Sequence, residues 1–305
     1  MEDNLLSYIS LFVWYNGFML EMAREGVVIK LSIVMTVGDF FVDCAGILFT
    51  LIGSVVIAGF ILGFLKELIC QYMQYALGFG GILITAWVGT PVHEAGHALL
   101  CYVFGHNVMD VKLFNPNSEN GVLGYVNHSY NPKSIYQKIG NFFIGIAPIL
   151  SGTGVIMILF RLLLPNECKS MFMAIRAFEW PGEFSLETFD LIKNSVVELF
   201  GILFTANNLK RVAFWIFMYL AICISSHMAL SPADMRGASS GIGTMYILIV
   251  FVSLVIRVLN VNVTKAAGVF YILNSYFITM LVIAIFCSFC SLILSLLLYS
   301  IRNIF

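Results

Sequence analysis

Between Cys44 and Tyr299 the chain returns six times to runs of about 20 mostly apolar residues, and each run is long enough to cross a hydrocarbon core. The runs are roughly 44–65, 77–104, 139–164, 212–230, 242–259 and 277–299. Inside lipid every backbone N–H and C=O must be satisfied within the protein, so such runs read as helices. The balance of residues agrees: 60% are hydrophobic and 11% charged, against about 25% charged in a soluble domain. The expected fold class is therefore an all-α polytopic membrane protein with about six transmembrane helices, an integral, multi-pass chain whose main solvent is the lipid bilayer. A net charge of −1 gives no electrostatic footprint for nucleic acid.

The second run carries the most unusual residues. In "VGTPVHEAGHALLCYVFG", 88–105, His93, Glu94 and His97 sit where ionisable groups are costly and tend to be functional. His93 and His97 are four apart, so on a helix both imidazoles share one face, one turn from each other. That spacing suits two corners of a zinc tetrahedron. Glu94 projects beside them, where a carboxylate can serve as general base to a metal-bound water. Ala95 and Gly96 leave room for a neighbouring helix. Gly89, Thr90 and Pro91 are expected to loosen the helix just before the motif.

A catalytic zinc usually takes three protein ligands. Asp234, in the Pro- and Gly-bearing stretch "SSHMALSPADMRGASSG" after the fourth run, is the leading candidate. The bland alternative for Asp234 is a helix-capping aspartate or a partner for Arg236. His227, seven residues earlier, is a rival ligand. His106 and His128 read as polar loop histidines. Thr90, Asn141, Ser151 and Ser226 are polar enough to line a water path, although each is also an ordinary helix-packing residue.

Two connections are long. In 105–138, the β-branched and aromatic pieces Val108–Phe114 and Val122–Ser129 flank the turn formers Asn115–Gly121, which reads as a β-hairpin after the motif helix. The stretch 165–211 mixes both charge signs, is broken at Pro181 and Gly182, and is amphipathic over 184–204, which reads as a surface insertion. Residues 1–43 lack a basic n-region and a small-residue cleavage site, and read as an N-terminal interfacial segment rather than a signal peptide. The seven cysteines show no framework spacing and read as small buried hydrophobes, with Cys287 and Cys290 forming a CxxC inside the last run. Lys and Arg divide almost evenly between the two sides of a six-span layout, so charge does not orient the chain.

With "HEAGH" at 93–97, "GIAP" at 145–148 and "SPADMRG" at 231–237, the chain resembles the site-2-type intramembrane zinc metalloproteases over roughly residues 44–300. The resemblance implies a six-span metalloprotease core over 44–305, with Zn2+ as cofactor, His93, His97 and Asp234 as metal ligands and Glu94 as catalytic base. It also implies a membrane-spanning or membrane-associated protein substrate, as in regulated intramembrane proteolysis. Two departures mark a divergent branch. Asp234 is followed by Met235, the glycine coming only at 237, and the 165–211 insertion widens the spacing between motifs. An edge strand such as 122–127 is expected to pair with an unwound substrate segment. Two other readings fit the motif. A CAAX-type membrane HExxH protease would take a glutamate ligand such as Glu179, Glu183 or Glu187. A regulator or transporter would keep the fold without the chemistry.

Overall fold

The computed structural model describes residues 37–118, 121–177, 186–259 and 264–304. The expected interfacial segment at 1–43 therefore lies almost wholly outside the described residues, as do Glu179, Pro181, Gly182 and Glu183. The chain is mostly helical with one small two-stranded antiparallel sheet. In order come α1 (Val37–Leu77), α2 (Phe79–Val103), β1 (Asn107–Lys112), β2 (Tyr125–Ser129), α3 (Ile135–Gly145) and α4 (Ala147–Leu163). Then follow α5 (Pro165–Ala177), α6 (Leu186–Leu203), α7 (Ala206–Leu209), α8 (Val212–Ser225), α9 (Pro232–Val258) and α10 (Thr264–Arg302).

Three helical stretches among the described residues are long and apolar enough to cross a membrane: Phe40–Leu77, Pro232–Val258 and Leu273–Arg302. A fourth arises if α3 and α4, which meet at a 61° bend, count as one broken span. The bend has a local cause. Pro148 has no N–H to return to the carbonyl of Ile144 and sits in the first turn of α4, where that loss is tolerated. Helix α2 has 25 residues, but Thr85, Thr90, His93, Glu94 and His97 dilute its apolar character. It is unbroken despite Pro91, so the expected loosening before the motif does not occur. Helix α8 stops at Ser225, and the chain runs irregularly to Ser231, the residue that caps α9.

The described residues within Met1–Ser54, Pro165–Arg211 and Tyr246–Ile278 form one compact unit. There α5 and α6 bury Cys168, Met171, Leu199 and Leu203. Arg211 donates to the Glu167 carboxylate at 2.7 Å and to Asn208 Oδ1 at 3.2 Å. The Tyr246 hydroxyl donates to the carbonyl of Phe41 at 3.1 Å.

The described residues within Val55–Leu164, Val212–Met245 and Thr279–Phe305 form the second unit. Helix α1 packs Leu65, Ile69 and Met73 against Leu292 of α10. The end of α1 is closed twice. Gly78 takes a positive φ of 66° and donates its N–H to the carbonyl of Gln74. The Arg302 guanidinium donates to the carbonyls of Tyr75 and Ala76, placing a cation at a helix C-terminus. A second core lies between α4 and α8, where Ile156, Phe160, Phe214 and Phe217 are fully buried and the Phe160 and Phe217 rings approach to 5.3 Å. Helix α4 also presses onto the motif helix. A Cβ at Gly96 would stand 2.4 Å from Ser151 Oγ, and that hydroxyl donates to the carbonyl of Val92. The small residue read from the motif is thus a close-approach point; Ala95 faces outward.

Candidate metal centre

Helix α2 presents His93 and His97 from successive turns, their ring centroids 5.0 Å apart. Each ring is fixed from behind by a backbone carbonyl of another element. His93 Nδ1 lies 2.7 Å from the carbonyl oxygen of His227, and His97 Nδ1 lies 2.8 Å from that of Ile144. A carbonyl only accepts, so the ring proton of each histidine sits on Nδ1 and donates outward. Both Nε2 lone pairs therefore face inward, 3.2 Å apart. This is the arrangement that orients imidazoles toward a metal.

Asp234 completes the triangle. Its Oδ1 lies 3.3 Å from His97 Nε2 and its Oδ2 3.9 Å from His93 Nε2. The three side chains are the group His93, His97 and Asp234, with ligand atoms all within 4.8 Å of one another. Two lone pairs and a carboxylate thus converge with no donor between them. Such a set is self-repelling unless a cation sits among the acceptors. Zinc at about 2.0–2.1 Å from each of two tetrahedral nitrogens puts those nitrogens roughly 3.3 Å apart, close to the separation here. The donor set fits a divalent metal ion.

The backbone explains how Asp234 arrives there. Ser231 and Asp234 form a reciprocal cap at the start of α9: the Asp234 N–H donates to Ser231 Oγ at 3.2 Å, and the Ser231 N–H donates to Asp234 Oδ2 at 2.7 Å. Pro232 takes the first helical position between them. The capping reading and the ligand reading therefore both describe the same carboxylate, one oxygen on the helix start and the other toward His97. Asp234 makes no ion pair with Arg236 among the described residues. Gly145, which ends α3, lets this turn approach: a Cβ there would stand 2.5 Å from the carbonyl of Asp234 and from the N–H of Ala238.

Glu94 is buried beside the cluster. It lines, with His93, His97 and Asp234, a cavity of about 660 Å³, a size ordinary for a ligand site. One wall is the chain from Gly121 to His128, leading into β2. Gly124 lies directly against Glu94, since a Cβ at 124 would stand 2.7 Å from Glu94 Cγ. Strand β2 pairs with β1 in the register Val111 to Val126 and Lys112 to Tyr125, with an irregularity between Val108 and Asp110.

Thr90 and Asn141 line the cavity; Ser151 and Ser226 are not among its walls. His227 also lines it, but its Nε2 lies 3.1 Å from Thr85 Oγ1, and its share in the cluster is its backbone carbonyl. Glu187 lies in α6 of the other unit, and its side chain falls outside the described ones. His106 and His128 are not the isolated loop histidines their sequence suggests. Their Nδ1 atoms lie 3.1 Å apart, and His106 is buried. Burial, His106 and then His97 hold the His128 imidazole below its ordinary pKa. None of the seven cysteines is held in a disulfide.

Sequence reading passed over three contributors. The carbonyls of Ile144 and His227 are backbone atoms with no side-chain signature, although Pro148 signals the first, because it leaves that carbonyl without its helical partner. Lys66 of α1 brings a positive charge to the cavity wall, and its signal was a Lys-Glu pair interrupting an apolar run. Comparison with protein-family models, curated proteins and solved structures finds no match to this chain.

Proposed function

We propose that the protein is an intramembrane zinc metalloendopeptidase of the site-2 type, hydrolysing peptide bonds of membrane-embedded or membrane-associated protein substrates. The observation that carries the reading is the convergence of His93, His97 and Asp234 on one point, with Glu94 beside them in the same cavity. A bound zinc ion supplies a polarised scissile carbonyl and a water whose pKa falls to about 7.

The chain's own residues do the rest. The Ile144 and His227 carbonyls hold both imidazoles in the tautomer that keeps Nε2 free for the ion. Asp234 contributes the negative charge that offsets a dication. Glu94 takes a proton at its carboxylate and returns it to the leaving amine. A helical peptide bond is shielded by its own hydrogen bonds, so the substrate must be extended before attack. The wall formed by 121–128 offers backbone groups along the cavity, which suits pairing with an extended segment. In this reading the apolar segments assemble as a six-span core, with α2 and the bent pair α3 and α4 among the spans.

The test compares the zinc-loaded protein with its Glu94→Gln variant in vesicles carrying a randomised library of single-span peptides. Mass spectrometry should find cleaved products with the first and at least about 100-fold fewer with the second, at equal zinc content. Equal product yields would remove Glu94 from the chemistry and with it the hydrolytic reading.

A further inference from the structure

We propose that Cys101, His106 and His128 form a second metal site, separate from the His93 cluster and taking a thiophilic divalent cation of the zinc class. Their ligating atoms all lie within 4.8 Å of one another. The three come from different places in the fold. Cys101 stands in the last turn of α2, His106 lies just beyond the helix end, and His128 lies on β2.

The chain is shaped to bring them together. Gly105 takes a positive φ of 67° and turns the chain sharply after α2. The N–H of His106 then donates back to the carbonyl of Cys101 at 2.9 Å, which sets the two residues side by side. The His106 ring is pinned on its far side. Its Nε2 lies 2.9 Å from the carbonyl of Gln137, and its face stacks on Tyr130 at 5.3 Å. Because that carbonyl only accepts, the proton sits on Nε2 and the Nδ1 lone pair points inward, toward His128 Nδ1 at 3.1 Å. Outer-shell carbonyls orient metal-binding imidazoles in this way. The Cys101 thiol faces the same point, and the residue is fully buried.

One thiolate and two imidazoles make a borderline-soft donor set, which selects Zn2+ and its analogues Co2+ and Cd2+ over Mg2+ or Ca2+. Binding displaces the Cys101 thiol proton to solvent, so uptake is accompanied by proton release. Since the ligands come from the end of α2 and from β2, a bound ion would tie the hairpin that walls the cavity to the helix that carries His93 and His97.

This site does not depend on the protein being a protease, and its test has a readout that the first cluster cannot produce. The first cluster has no sulfur ligand, so a thiolate-to-cobalt charge-transfer band reports the second site alone. The full-length protein in detergent is stripped of metal and titrated with Co2+. The band should appear in the wild type and in the His93→Ala/His97→Ala double variant. It should vanish in Cys101→Ser, and His128→Ala should weaken Co2+ binding at least about tenfold. His128 lies on a half-exposed strand, so its variant carries the test if Cys101→Ser fails to fold. Absence of the band in the wild type would overturn the proposal. So would a band that persists in both variants, because another cysteine would then be its source. In either case His106 and His128 are a hydrogen-bonded pair packed beside an inert thiol.

Discussion

Asp234 performs two tasks with one carboxylate, and substitutions separate them. Oδ2 caps α9 through the Ser231 N–H, while Oδ1 faces His97 Nε2. Asp234→Asn keeps an acceptor for the cap and removes the charge; Asp234→Ala removes both. Loss of a helix cap costs about 1 kcal/mol, so in the metal-free protein only the alanine variant should unfold at lower denaturant. Residues behind a metal ligand already matter 10–100-fold in affinity, so loss of the ligand itself should weaken zinc by about 100-fold or more in both variants. Competition against a chelator of known affinity measures this, and wild-type affinity in both variants would reduce Asp234 to a cap. His93, Glu94 and His97 were legible because their spacing is a helical period and their chemistry is out of place in an apolar run. Asp234 was legible only as an acid on a helix-breaking stretch. The two carbonyls that hold the imidazoles had no side chain to announce them. Of these, only the Ile144 carbonyl had a trace in sequence, the missing N–H of Pro148.

At the scale of elements, hydropathy located apolar runs better than it located helix ends. The run at 139–164 is two helices meeting at 61°, because an apolar count is blind to the hydrogen bond that Pro148 cannot make. The run at 212–230 is a 14-residue helix followed by irregular chain, because Met228, Ala229 and Leu230 are as apolar as the helix before them. β-branched and aromatic pieces on either side of turn formers pointed to strands, and two short antiparallel strands are present, Asn107–Lys112 and Tyr125–Ser129, but nothing local foretold that Gly124 would touch Glu94. That contact makes the wall of the cavity testable. A methyl group at 124 would meet Glu94 Cγ at 2.7 Å, Thr90 Cγ2 at 2.9 Å and the carbonyl of Leu113 at 3.0 Å. Something must shift, and the glutamate side chain yields more easily than backbone. A displacement of about 1 Å near reacting groups costs on the order of 100-fold in rate. Gly124→Ala should therefore lower single-turnover cleavage by about that factor while bound zinc stays unchanged, because no metal ligand is touched. Lost zinc would instead mean that the hairpin holds the ligands, and an unchanged rate would mean that the wall is pliant.

For the whole molecule, every group proposed to hold or serve the metal lies in one of the two compact units, and this arrangement makes metal removal a local event. Zinc bound to the folded state alone stabilises it by RT ln(1 + [L]/Kd), about 4 kcal/mol when the free ion exceeds Kd a thousandfold. That increment belongs to the contacts the ion organises: His93 and His97 on α2, Asp234 at the start of α9, and the carbonyls of Ile144 and His227 that hold the rings. The sequence could not show this partition, because the motifs at 93–97, 145–148 and 231–237 meet only through contacts more than 40 residues apart in the chain. Hydrogen exchange on the detergent-solubilised protein, with and without chelator, measures where the increment is felt. Chelation should accelerate exchange in 79–103, 135–145 and 226–240 and leave 194–203 of α6 unchanged. The His93→Ala/His97→Ala variant should show no response to chelator at 226–240, where the second cluster contributes no ligand. Acceleration of α6 equal to that of α2 would mean that the metal stabilises the chain as one cooperative body, and the division into two units would not be a division of stability.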